Sequence, residues 1–368
     1  MAIYRLLICL SVSCLLIGCG HTSKNTRDRY DAIVKPQSHN SKHVFSTIQA
    51  ALNAAPQQSN KPFRIFIKAG NYYEKLLITK PNIYLVGEQA DKTRIYYDSY
   101  AGKLTPKGIK TGTPGSAVLT IASNNIHIQH LTIENTFNYL ANDALPNTSV
   151  KRKSDAQAVA LFLDKNADKF KLSDSRLLGY QDTLFINDGR SWFNKVLIAG
   201  NVDFIFGKGN AVFTDSEIKT LARGKSNFPH GYIVAPSTQI TNPYGFTFIN
   251  CKLTRETSVP NNSVPLGRPW HPTTQFADGR YADPNAIGKA VFINTWMDEH
   301  IFVDGWYSMN GNAIDGKKIP FYPEDSRFFE YKSKGPGAQI NYKRRQLTNA
   351  EVKNYSPEKI LGDWIHQD

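Results

Sequence analysis

Two amides and two carboxylates recur along this chain at nearly one interval: Gln157, then Gln181 with Asp182, then Asp203. If each step of just over twenty residues is one coil of a strand solenoid, they form a ladder on rungs about 4.8 Å apart. Two carboxylates that close cannot both ionise cheaply, since at 4 Å and an effective dielectric of 20 their repulsion is about 4 kcal/mol. One of them should keep its proton towards neutrality, which separates a nucleophile or base from an acid. The amides beside them can donate hydrogen bonds to an oxyanion. Polar ladders on a solenoid can also be purely structural, so the spacing alone leaves both readings open.

The flanking sequence supplies the elements such a ladder needs. Beyond Pro62 the hydrophobic period is 2, in Arg64-Ile65-Phe66-Ile67, Ile83-Tyr84-Leu85-Val86 and Ile126-His127-Ile128, as short strands require. One unit then repeats: Phe170-Lys171-Leu172 before Asp174-Ser175, Phe213 before Asp215-Ser216, Phe246-Thr247-Phe248-Ile249 before Asn250-Cys251, and Val291-Phe292-Ile293 before Asn294-Thr295. The first two copies are two coils apart. Longer later gaps are read as insertions around Pro229 to Pro243 and Pro260 to Pro284. Strand plus turn at a short period, with Asn or Asp at the corners and no helices between, predicts an all-β fold, a right-handed single-stranded parallel β-helix with short capping helices. A hairpin β-sandwich is disfavoured because Asn-Gly and Asp-Gly turns are sparse. One capping helix is expected from Ser46 as N-cap with Gln49 at N3, running through Ile48, Ala51, Leu52 and Ala55 to Pro56. Two more are expected near the C-terminus, one capped by Thr348 with Glu351 and one after Pro357.

The 368 residues, 41% of them hydrophobic, can bury a large core, which excludes a disordered or collagen-like chain. Forty-four Lys and Arg against 31 Asp and Glu give a net charge of +13. That surplus suits a polyanionic partner but does not choose among nucleic acid, membrane surface and acidic polysaccharide. Cysteines stand at 9, 14, 19 and 251, without the spacing of a zinc site or a disulfide framework. Arg5 followed by the apolar run Leu6 to Ile17 fits an export signal and is too short to span a membrane. It ends Leu16-Ile17-Gly18-Cys19, which resembles a bacterial lipobox with Cys19 as the lipidated residue. Expected boundaries are therefore a signal peptide over 1–18, a polar tether over 19–42 and the catalytic β-helix over 43–368, held as a monomer on the outer membrane.

Three segments narrow the chemistry. Gly179-Tyr180-Gln181-Asp182-Thr183-Leu184-Phe185, Gly200-Asn201-Val202-Asp203-Phe204-Ile205-Phe206-Gly207 and Leu266-Gly267-Arg268-Pro269-Trp270 closely resemble the signature segments of pectin methylesterases, carbohydrate esterases that demethylate polygalacturonate. The resemblance extends from about Phe45 to Trp306. It implies a parallel β-helix and ester hydrolysis without metal or other cofactor. It makes Asp203 the nucleophile, Asp182 the acid and then base, Gln181 and Gln157 the oxyanion donors, and Arg268 the partner that orients Asp203. Phe185, Phe206 and Trp270 would wall the sugar groove, and Thr113, Val202 and Arg223 match positions that touch substrate. Expected partners are methyl-esterified polygalacturonate or oligogalacturonides, and a membrane through Cys19.

Four other readings compete. A β-helix pectate lyase or polygalacturonase would share the groove, but calcium prefers six to eight oxygen ligands and the ladder offers two carboxylates. A lipoprotein of this type could act on a different ester or thioester. A non-catalytic polysaccharide-binding β-helix has no need of stacked carboxylates between amides and an arginine. Nucleic-acid binding is weakest, because the basic residues are dispersed and no recognised module appears.

Overall fold

The computed structural model describes residues 29–39, 41–225 and 227–366. The expected signal peptide and Cys19 lie outside the described residues. Three long parallel sheets of 11, 8 and 6 strands wind together, with two small antiparallel hairpins added. Each coil visits them in turn: Phe170–Ser173, Arg176–Leu178 and Leu184–Ile186, then Arg190–Asn194, Leu197–Gly200 and Val202–Gly207. This is the right-handed parallel β-helix that the repeat predicts. The coil between the first two repeated units is present, as the doubled spacing requires.

Stacking in register follows from identical side chains falling at identical points of successive coils. Inside the helix Phe193 and Phe213 lie 4.8 Å apart, Phe213 and Phe248 4.4 Å, and Phe248 and Phe292 4.5 Å, all ring on ring. Those separations match the strand spacing, so each ring fills the gap its neighbour leaves. Between the first and second sheets the chain turns on one left-handed residue per coil: Asp174, Lys195, Asp215, Asn250 and Asn294, with φ from 45° to 55°. Asp and Asn tolerate that backbone because their short side chains bond locally, which explains their place at the corners. Ser175 and Ser216 follow those corners, and each hydroxyl donates at 2.7 Å to the carbonyl of the residue two before it.

Four expectations need correction. The folded body starts before His43, because Ala32–Val34 pairs with Val44–Phe45 and Phe63–Ile67 and buries Ala32 and Val34 completely. The tether therefore cannot extend to Lys42. The first capping helix is Ile48–Ala54 with Thr47 as N-cap, whose hydroxyl accepts from the Ala50 N–H. Glu74 takes the next two free N–H groups, at 2.9 and 3.0 Å, so Gln49 is released from the capping box and bonds Asn53 and Leu77 instead. The Pro229 to Pro243 segment is more than an insertion, since Tyr232–Pro236 is the last strand of the third sheet. The period also outlasts its legible copies, because Arg327–Tyr331 pairs with Lys289–Ile293.

The capping helix buries Ile48, Ala51 and Leu52 against the first coils and closes that end of the core. The C-terminal helices are a 3₁₀ turn over Glu351–Asn354, with Thr348 and Glu351 exchanging hydrogen bonds, an α-helix over Pro357–Leu361 and a further 3₁₀ turn over Asp363–His366. Their apolar residues Tyr355, Ile360, Leu361, Trp364 and Ile365 pack with Val212, Val291 and Ile293 on the outer face of the first sheet.

Candidate active site

From Leu161–Leu163 onward the third sheet buries both of its faces, so these strands lose the alternation that its first two strands keep: Leu184–Ile186 and Val202–Gly207 are buried throughout. A separate apolar cluster of Ala117, Val159, Phe162, Phe185, Phe206 and Ala235, with Trp270 packed on it, lies apart from the main core. Phe185 and Phe206 are stacked 4.3 Å apart, and the Trp270 ring stands nearly edge-on to them at 6.2 and 5.6 Å. Together they form one apolar wall of a cleft of about 450 Å³.

At the floor of that cleft, neighbouring coils deliver the two carboxylates. Asp182 precedes the strand Leu184–Ile186, and its N–H donates at 3.0 Å to the carbonyl of Val202, beside Asp203 on the next coil. Both aspartates have left-handed backbones, φ 64° and 49°. Such positions cost about 1 kcal/mol or more and persist where the surrounding structure holds them. The ladder from Val202–Gly207 to Tyr232–Pro236 slips between Val202 and Ile205. A slip of that kind re-aims the bulged residues, here Asp203 and Phe204.

Asp203 is gripped by Arg268 through two bonds, Nε to Oδ1 at 2.9 Å and Nη2 to Oδ2 at 2.6 Å. A guanidinium fork fixes the plane of a carboxylate as well as its charge. The Arg268 guanidinium in turn lies over the Tyr232 ring, 3.9 Å from its centroid. Asp182 is different. Burial, followed by the negative charge of Asp203, raises its pKa well above the usual carboxylate range, while Arg268 and a hydrogen bond from the Gln181 side chain act against that rise. One carboxylate is thus paired with a cation and its neighbour is pushed towards the neutral acid, the division that the spacing predicts.

Gln157, Gln181, Asp182, Asp203, Arg268, Phe185, Phe206, Trp270 and Thr113 all line the cleft. The side-chain carbonyl oxygen of Gln157 is buried there without a hydrogen-bond partner among the described residues. Two expected substrate contacts lie outside this lining. Val202 is buried and absent from the lining, and Arg223 is held by Asp143 through bonds of 3.1 and 2.9 Å, also outside the lining. Pro114, Ala235 and Met309 line the cleft without having been expected, and Tyr232, also unexpected, lies beneath Arg268.

Comparison with known proteins is consistent with this geometry. The family profile described as Pectinesterase matches residues 32–363. Pectinesterase A of Dickeya dadantii (strain 3937) is 46% identical over 358 residues, 96% of each chain. The pectin methylesterase of Erwinia chrysanthemi superposes with a TM-score of 0.87 at 46% identity, covering 91% of this chain and 98% of that one. A pectin methylesterase solved in complex with a hexasaccharide gives the same TM-score at 47% identity, with the same coverage.

Proposed function

From this chain's membership of the pectinesterase family, we infer that it hydrolyses the methyl esters of polygalacturonate, releasing methanol, and that Asp203 and Asp182 divide the work. An Asp203 carboxylate oxygen attacks the ester carbonyl carbon, and the carbonyl electrons move onto oxygen. The side-chain amides of Gln181 and Gln157 donate to that oxyanion. As the tetrahedral adduct collapses, the C–O bond to the methoxy group breaks and Asp182 gives it a proton, so methanol leaves and an acid anhydride remains on Asp203. Ionised Asp182 then takes a proton from water, whose oxygen attacks the anhydride carbonyl and frees the galacturonate carboxylate and Asp203. Arg268 keeps the Asp203 carboxylate plane aimed throughout, and the aromatic wall gives a sugar ring an apolar face to rest on.

The observation that carries this reading is the unequal pair: one buried aspartate forked by arginine, the other raised by burial and by its neighbour's charge. Its test is methanol release from highly methylated pectin in EDTA, with the absorbance of unsaturated uronides followed in parallel. Methanol without new unsaturated ends supports the esterase, whereas unsaturated ends or a calcium requirement would support a lyase.

The raised pKa of Asp182 also fixes one limb of the pH profile. Only the protonated acid can assist methanol departure, so kcat should fall as pH rises through that pKa. An activated ester whose leaving group needs no proton should flatten this limb. If the limb stays equally steep with that ester, the acid is another group.

For the N-terminus we propose that Cys19 carries a lipid and tethers the enzyme to the outer membrane, on the support of Leu16-Ile17-Gly18-Cys19 and of a following residue, Gly20, that is not Asp. Cys19→Ser should block processing or release the protein into the soluble fraction, while the purified domain keeps its full activity. Continued membrane association resistant to high salt would rule the anchor out.

A further inference from the structure

A second concave surface lies beside the cleft and takes no part in the chemistry above. It is a trough of about 320 Å³ floored by Trp306 and walled by Phe302, Tyr307, Tyr322 and Tyr342. Tyr322 and Tyr342 are 51% and 89% exposed.

These rings stand on firm supports. Arg344, next but one to Tyr342, is buried and forked onto Glu330 at 2.6 and 2.7 Å. Arg345 bonds the carbonyls of Pro323, at 3.2 Å, and Ser326, so the segment carrying Tyr342 is stapled to the one carrying Tyr322. Lys343 is held by Asp304 at 2.6 Å. Rigid tyrosines offer contact area at little entropic cost.

Charge and position indicate what fits. Lys343 and Arg345 on the rim are balanced by Asp304 and Glu324, so the trough has no net charge to attract a polyanion, despite the basic surplus of the whole chain. Position ties the trough to the cleft. Tyr307 is two residues from Met309, which lines the cleft, and two residues of extended chain span about 7 Å. The Tyr307 ring is also 6.1 Å from Tyr232, the ring beneath Arg268.

We propose that this trough is a second carbohydrate-binding site that holds a methyl-esterified, uncharged stretch of the same galacturonan chain whose ester lies in the cleft. The apolar C–H faces of neutral sugar rings pack on Tyr322 and Tyr342, while the charged demethylated product gains nothing there. The proposal rests on the esterase reading, and its test separates the two.

The Tyr322→Ala/Tyr342→Ala enzyme is compared with wild type on highly methylated pectin and on the methyl ester of a single galacturonate unit, too short to reach both sites. KM for the polymer should rise about five- to tenfold, with kcat and the KM for the single unit unchanged. Unchanged polymer KM would overturn the trough, whereas failure of wild type to release methanol from either substrate would overturn the esterase reading instead. Affinity electrophoresis in the Asp203→Asn background tests the preference for uncharged chain. The double substitution should abolish extra retardation by methylated pectin and leave that by polygalacturonate as it was. Equal loss on both, or a changed oligomeric state on gel filtration, would count against the site. If the double variant melts early, Tyr342→Ala alone, at the most exposed ring, should show a smaller rise in polymer KM, and its absence is equally decisive.

Discussion

Asp203→Asn should abolish methanol release, by a factor on the order of 10⁴ or more, the scale seen when a covalent nucleophile is removed. Asparagine keeps the shape and still accepts one bond from Arg268, so the loss should appear in kcat while the far-ultraviolet spectrum of the β-helix is retained. The substitution also removes the charge that helps raise Asp182, so the Asp182 pKa should fall, as carboxyl-carbon NMR would read. Asp182→Asn should behave differently. It removes a proton donor and not a bond-forming atom, so an ester with a better leaving group should recover part of its turnover but none of that of Asp203→Asn. If the activated ester rescues Asp203→Asn instead, the two roles are reversed. Wild-type rates in both would remove the pair from the mechanism altogether.

Arg268→Met should be the most destabilising single change in the cleft. It leaves the Asp203 side chain, 12% exposed, without the fork that compensates its burial, and breaking one side of a buried pair costs about 3 kcal/mol or more. Urea denaturation would measure it. Because the cost belongs to an uncompensated charge, removing that charge as well should return much of it: Asp203→Asn/Arg268→Met should be less unstable than the two single losses added together. Strict additivity would mean that Arg268 contributes by packing on Tyr232 and not by pairing. Activity should fall in either case, since Asp203 would no longer be held in one plane.

The carboxylate ladder was legible in the sequence because a solenoid converts distance along the chain into distance in space at a nearly constant rate. Gln157, Gln181, Asp182 and Asp203 could be assembled from their intervals alone. The corners were legible through Asp174, Asp215, Asn250 and Asn294, residues that accept a left-handed backbone. Lys195 occupies the same corner with φ 53° and carried no signal, since nothing in its chemistry favours that conformation. The cleft rim was hidden for a related reason. Met309 and Pro114 come from segments between coils, where the period gives no ruler. Arg223 is bonded by Asp143, eighty residues away, a tertiary pairing that no local pattern announces. The tether boundary failed because Ala32-Ile33-Val34 is too short to reveal a period, although it supplies a strand to the first coils.

The two aspartates sit on adjacent coils deep inside the stack, with Phe170–Ser173 and Arg190–Asn194, the first-sheet strands of those coils, at sixth and seventh place among eleven. A solenoid opens by fraying from its ends, each coil being held mainly by its immediate neighbours. Several coils must peel away on either side before the catalytic pair is disturbed. Backbone amides around Asp182 and Asp203 should therefore be the slowest to exchange with deuterated solvent, and thermal wear of the terminal coils should leave hydrolysis running until the middle of the stack gives way.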